Sequence, residues 1–175
     1  MLTAPDLQLP EAIAAGQRFD AVVRMPFGFV GVRTRGACVE EIRFLTGETQ
    51  PMPATNALAQ RVVDRLHAYC ANSSAPIDLP LAIEGTDFQR RVWEQIAGIP
   101  PGSTATYGEL ARRLNGEPRA VGQACGDNRL PLAIPCHRVV ATSGIGGFAH
   151  HRGGAYERIK RWLLLHEAGS EFRLT

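Results

Sequence analysis

The apolar spacing of this chain changes character at Gly85, and that change limits the fold more than any other single feature. Upstream, "FDAVVRM" (19–25), "FGFVGVR" (27–33) and "ACVEEIRFL" (37–45) read as short strands, with Pro26 interrupting the first pair. "TNALAQRVVDRLHAYCA" (55–71) then places Leu58, Val62, Leu66 and Tyr69 on one face of an amphipathic helix. "IDLPLAIE" (77–84) is extended and broken by Pro80. Downstream the texture is helical. "TDFQRRVWEQIAGIP" (86–100) opens on a capping Thr86 or Asp87 and lines up Phe88, Val92 and Ile96. A second helix is expected over 106–114, a short one rich in small residues over 119–126, and a last one over 155–169 ended by Gly169. Residues 128–136 read as an extended segment, and 144–154 as a glycine-rich loop. The expected organisation is an α/β unit over 1–85, with residues 1–17 an extension of unassigned role, and a mostly helical unit over 86–175.

Composition excludes some classes. A hydrophobic content of 45% and a charged content of 21% fit a globular chain. No apolar run approaches the roughly 20 residues a membrane span needs. The start, "MLTAPDLQLPEAIAAGQ", has no basic region, carries Asp6 and Glu11 and is broken by Pro5 and Pro10, so no export signal and a cytoplasmic location are expected. Cys38, Cys70, Cys125 and Cys136 form no CxxC pair and no zinc-like spacing; free thiols and no metal are expected, with all but Cys136 acting as small apolar fillers. Residues 1–84 hold 7 Arg and 9 acids, net −2, whereas 85–175 hold 12 Lys+Arg and 8 acids, net +4. That asymmetry fits a polyanion partner for the second half, or simply a basic solvated surface.

Two motifs carry possible chemistry. The helix, tight turn and small-residue helix over 106–126 have the shape of a helix-turn-helix, and Gly122, Ala124 and Gly126 would permit close approach to a phosphate backbone. Ordinary helix packing also uses small residues. The second motif is Cys136-His137 inside "IPCHRVV" (134–140). A cysteine nucleophile works as thiolate, so a neighbouring base is useful. Adjacent residues on a strand face opposite ways, however, so either the backbone kinks at Cys136 or the imidazole acts through water. A buried thiol beside a hydrogen-bonded histidine remains the plain alternative.

"IPCHRVV", with "TYGEL" (106–110) and "RAVGQACGDN" (119–128) before it and "GIGGF" (144–148) and "RWLLLHE" (161–167) after it, resembles the O6-alkylguanine-DNA alkyltransferases. The resemblance is strong over 86–168 and weaker over 19–84. It implies a ribonuclease-H-like N-terminal domain, with a small antiparallel sheet and a helix, and a helical C-terminal domain carrying a helix-turn-helix. It implies single-turnover transfer of an alkyl group from O6-alkylguanine in double-stranded DNA to Cys136, by a monomer without cofactor that binds the minor groove and flips the base. His137 would deprotonate Cys136 through a water, and Glu167 would hold His137. Tyr107 would donate to the base, and Asn128 would brace the turn before the cysteine. Arg119 would fill the place of the flipped base. Ala120, Gly122, Arg138, Phe148 and Ala149 would contact DNA or base, and the main chain of Cys136 and Val139 would read the guanine edge.

The chain departs from the family pattern in places. The "NGEP" turn is about two residues short, Asp127 and Arg129 flank Asn128, Phe148 stands where tyrosine is common, and "AHHRGG" replaces a more usual loop. His150 and His151 read as solvated loop residues. Two other functions compete: a damage-binding module without transfer, whose members lack the cysteine, and a thiol hydrolase, for which the chain offers no signature.

Overall fold

Three strands build the first layer of this computed structural model, which describes residues 18–169; the extension 1–17 lies outside them. β1 (Ala21–Met25), β2 (Gly28–Arg35) and β3 (Cys38–Leu45) form an antiparallel sheet in the order β1-β2-β3. Pro26 and Phe27 make the tight link between the first two, and Met25 pairs with Gly28. A bulge in the β2–β3 register passes over Glu40, so that Val39 pairs with Thr34 while Glu41 pairs with Arg33. That extra residue lets Val39 and Ile42, three apart, both bury, which strict alternation would forbid.

α1 (Ala57–Ala71) packs against this sheet. Asn56 caps it by accepting the Ala59 N–H at 2.8 Å. Its fully buried residues are Ala59, Val62, Leu66 and Tyr69, and the expected Leu58 packs half-buried against the same core beside Ala59. Residues 77–84 are extended, and Leu81 bridges Val39.

Local signals fix the start of the first two helices of the second half. α2 (Asp87–Ala97) and α3 (Tyr107–Leu114) both begin with a full capping box, Thr86 with Gln89 and Thr106 with Glu109. α2 buries Val92, Trp93 and Ile96, and the Trp93 indole donates to Ala124 O at 2.8 Å. α3 ends on Asn115 in the left-handed region (φ 52), which reverses the chain into α4 (Pro118–Gly126) after only Gly116 and Glu117. Pro118 sits at the start of α4, where a missing N–H costs nothing.

The segment after α4 corrects an expectation. Residues 128–135 are not extended but run through successive turns, with Leu132 at φ 73. Cys136–Arg138 form one 3₁₀ turn. β4 (Ala105–Thr106) and β5 (Val139–Val140) then pair in parallel, which fixes the start of α3 beside that turn. α5 (Gly154–Ala168) closes the fold and ends at Gly169, φ 64. The buried residues of the two halves form one continuous core, joined by the Ile42 N–H bond to Arg129 O and by the Phe27–Trp162 and Phe44–Phe148 ring contacts. Among the described residues, no helix is long and apolar enough to cross a membrane.

Candidate active site

Asn128 sets the path of the chain into Cys136. Its side-chain N–H donates to Ile134 O at 2.9 Å, and its oxygen accepts the Leu130 N–H at 2.9 Å. One side chain thus closes the turns over 128–134 from inside. The kink continues through Pro135 (φ −79, ψ 65) into the 3₁₀ turn. Of the two ways that adjacent Cys and His can cooperate, the backbone kink is present. Cys136 is buried at the floor of a cavity of about 700 Å³, bounded by α4 on one side and the 141–153 loop on the other. Burial pushes its thiol up, while a hydrogen bond with Asn128 and the Lys160 charge pull it down.

Behind the cysteine lies a buried polar cluster centred on Glu167. His137 Nε2 is 2.7 Å from Glu167 Oε1. A carboxylate only accepts, so Nε2 carries the proton. Arg138 donates to both carboxylate oxygens, Nε to Oε2 and Nη2 to Oε1, each at 2.8 Å, and a further N–H to Ile99 O at 2.6 Å. Tyr69, on α1, donates its hydroxyl to Glu167 Oε1 at 2.8 Å. Burial works against the Glu167 carboxylate, but the bonds from His137 and Arg138 outweigh it and hold Glu167 well below the ordinary carboxylate range. Burial pulls the His137 imidazole down against Glu167, so the ring is neutral. Its Nδ1 is buried with no hydrogen-bond partner among the described residues. A neutral histidine oriented by a carboxylate, with a free basic nitrogen, is a proton acceptor held in place.

The structure gathers some of the expected residues and separates others. Tyr107, Arg119, Gly122, Cys136, Phe148 and Ala149 all line the cavity. Tyr107 sits there because β4 leads directly into α3, and its hydroxyl donates to Gly147 O at 3.2 Å. Burial and the nearby Cys125 and Cys136 push its pKa up, so it stays a donor at neutral pH. Arg119 is exposed near the start of α4, and Ala120 is exposed without joining the cavity wall. Arg138 does not line the cavity, where a nucleic-acid contact was expected; its guanidinium is turned inward onto Glu167. Val139 is also buried outside the wall, and its carbonyl accepts from Lys160 Nζ at 2.7 Å.

Lys160, Tyr69 and Cys125 are additions that sequence reasoning missed. Lys160 is buried and donates to Val139 O and to Gly147 O at 2.9 Å, tying β5 to the cavity loop. Burial pulls it down to about 8. A signal was present: Lys160 is the chain's one lysine and shares a buried helical face with Leu163, Leu164 and Glu167. Cys125 is not only a core filler, since it lines the cavity beside Cys136, whereas Cys38 and Cys70 are half-buried. His150 and His151 are exposed loop residues, as expected, and each has a partner: His150 bonds Asp127, and His151 stacks on Tyr156 with ring centroids 4.2 Å apart.

The family described as 6-O-methylguanine DNA methyltransferase, DNA binding domain, matches residues 87–169. A methylated-DNA–protein-cysteine methyltransferase of Mycobacterium tuberculosis is 35% identical over 158 residues, covering 86% of this chain and 93% of that protein. One of Shigella flexneri is 44% identical over 108 residues, 59% of this chain and 60% of that protein. The crystal structure of a Mycobacterium tuberculosis O6-methylguanine methyltransferase superposes with a TM-score of 0.70 at 34% identity, covering 84% of this chain and 90% of that one. A Mycobacterium tuberculosis relative in complex with DNA gives 0.67 at 34% identity, over 82% and 88%. With a buried cysteine, an oriented histidine and a relative matched over nearly its whole length, the chain belongs to the methylated-DNA–protein-cysteine methyltransferase family.

Proposed function

We propose that this protein repairs O6-alkylguanine in DNA by direct reversal, taking the alkyl group onto Cys136. The observation that carries the reading is the placement of Cys136 at the floor of an open cavity with the His137–Glu167 pair directly behind it. The thiol proton passes through a water to His137 Nδ1, whose buried, unpaired state supports that route. The sulfur then attacks the alkyl carbon. An S–C bond forms, the C–O6 bond breaks with its electron pair going to O6, and the base takes up a proton from solvent at N1 and leaves as neutral guanine while His137 returns the thiol's proton to solvent. Tyr107, whose hydroxyl is already in the cavity, donates a hydrogen bond to the departing base. The product is a thioether, and nothing in this scheme regenerates the thiol.

The substrate reaches the cavity as an extruded nucleotide, at a cost of a few kcal/mol for unstacking. We read α3–α4 as a helix-turn-helix that lays α4 in the minor groove; the exposure of Arg119 and Ala120 and the absence of a side chain at Gly122 support this. Arg119, at the cavity mouth, fills the vacated stack. We read the first unit, 1–85 with 1–17 an extension of unassigned role, as ribonuclease-H-like over its described residues, and 86–175 as the acceptor domain. The antiparallel β1-β2-β3 order followed by α1 supports the first assignment. Through Tyr69 the first unit also braces Glu167.

The test is mass spectrometry after incubation with a duplex carrying O6-methylguanine. The Cys136 peptide should gain one CH₂, stoichiometrically, and Cys136→Ala should bind the duplex without being modified. An unmodified Cys136 peptide, or turnover beyond one equivalent, would refute the proposal.

A further inference from the structure

Asp127 and His150 are two of the positions where the chain departs from the family pattern, and the structure joins them. His150 Nε2 lies 2.8 Å from Asp127 Oδ1. Asp127 caps the end of α4, and its other oxygen accepts from Gln89 of α2 at 2.8 Å, so the carboxylate is braced on the helical body. Gly126 completes the contact. A Cβ at 126 would lie 2.3 Å from the imidazole, so the ring rests on bare backbone that any side chain would obstruct.

The loop side of this contact is a strained turn. Phe148 and His151 exchange backbone hydrogen bonds of 2.9 and 2.8 Å, leaving Ala149 and His150 as the two central residues, at φ 49 and 63. Two positive φ values in succession are the geometry that favours Asn and Gly and penalises residues with larger side chains. Ala-His is therefore a poor sequence for this turn, and an outside contact must help hold it. The wall it holds matters: Gly122 and Gly126 of α4 form one side of the cavity over Cys136, and Gly147, Phe148 and Ala149 form the other.

We propose that the Asp127–His150 pair is a specificity latch. It pins the 148–151 turn to the end of α4, fixes the gap between the two cavity walls, and so sets the largest alkyl group that Cys136 accepts. The proposal rests on the alkyl-transfer reading above. Opening the latch lets the turn relax away from α4 and admits bulkier groups.

The experiment measures single-turnover modification of Cys136 by matched duplexes carrying O6-methylguanine or O6-benzylguanine. Two variants open the latch by separate routes. His150→Gly removes the imidazole while suiting the positive φ, and Gly126→Ala drives the ring off α4. Each should raise the benzyl-to-methyl rate ratio about fivefold, the scale one hydrogen-bonded contact supports. The double variant should exceed neither single by much, because both break one contact. His150 is exposed, so His150→Gly should fold, as circular dichroism and a thermal melt will verify. An unchanged ratio in the folded variants, or equal slowing on both duplexes, overturns the latch. Wild-type protein modified by neither duplex overturns the alkyl-transfer reading instead.

Discussion

Arg138 offers the sharpest test of how the site is built, because the motif and the structure assign it to different places. Read from "PCHRV", it is a cation beside the acceptor and a candidate DNA contact. In the fold its side chain is only 10% exposed, and it makes a two-pronged pair with Glu167, itself 1% exposed. Arg138→Met keeps the apolar stem and removes the charge. Losing one member of a buried ion pair costs about 3–5 kcal/mol, because the partner is left uncompensated. Here Glu167 keeps His137 and Tyr69 as donors, which places the loss near the low end, about 3 kcal/mol. For a chain of this size, each kcal/mol lowers Tm by about 2–4 °C, so the variant should melt about 6–12 °C early.

Thermal and urea unfolding of Arg138→Met measure that loss directly. A second measurement separates the two placements. If Arg138 met a phosphate, removing it would lower the slope of log K against log salt by about 0.9. The interior placement leaves the slope unchanged. A variant with wild-type stability and a reduced salt slope would refute the reasoning and return Arg138 to the DNA surface.

Two further outcomes follow from the same cluster and from α4. Glu167 is held below its ordinary pKa, so its stabilisation is complete above the unfolded carboxylate value of about 4.3 and drains away as pH falls below it. His137, lowered by burial, works in the same sense from about 6.5 downward. Urea midpoints of wild type should therefore fall from pH 7 downward, through His137 first and through Glu167 below about 4.3, and Glu167→Gln should be less stable at pH 7 with a flatter profile in that lower range; parallel profiles there would show that Glu167 does not carry the effect. Arg119→Ala should slow transfer from duplex DNA far more than transfer from the free base O6-benzylguanine, and equal losses in single-turnover assays would remove it from base extrusion.

How far a sequence reveals such a site depends on the distance over which each part is determined. Strands β1 to β3, and helices α1 to α5, were legible because their periodicity, caps and breakers act within a few residues, as the Thr86/Gln89 and Thr106/Glu109 boxes show, whereas β4 and β5, two residues each, leave no period to read. The 128–138 segment was not. Its apolar "LPLAIPC" imitates a strand, but its path is dictated by Asn128 bonding the main chain at Leu130 and Ile134, with Leu132 in a left-handed turn. Side-chain-to-backbone bonds of that kind compete with regular structure and leave no period to detect. The misreading had a consequence: on a strand, Cys136 and His137 seem opposed, whereas the 3₁₀ turn makes their adjacency usable. His137 and Glu167 are 30 residues apart and Tyr69 and Glu167 are 98 apart, so spacing alone offered no route to either pair; resemblance named Glu167 and was silent on Tyr69. That silence has a physical meaning. Tyr69 falls on the apolar stripe of α1, where its ring satisfies the pattern by burial alone. Only the fold shows that its hydroxyl reaches across to the carboxylate that orients His137, making the first half of the chain part of the site's support.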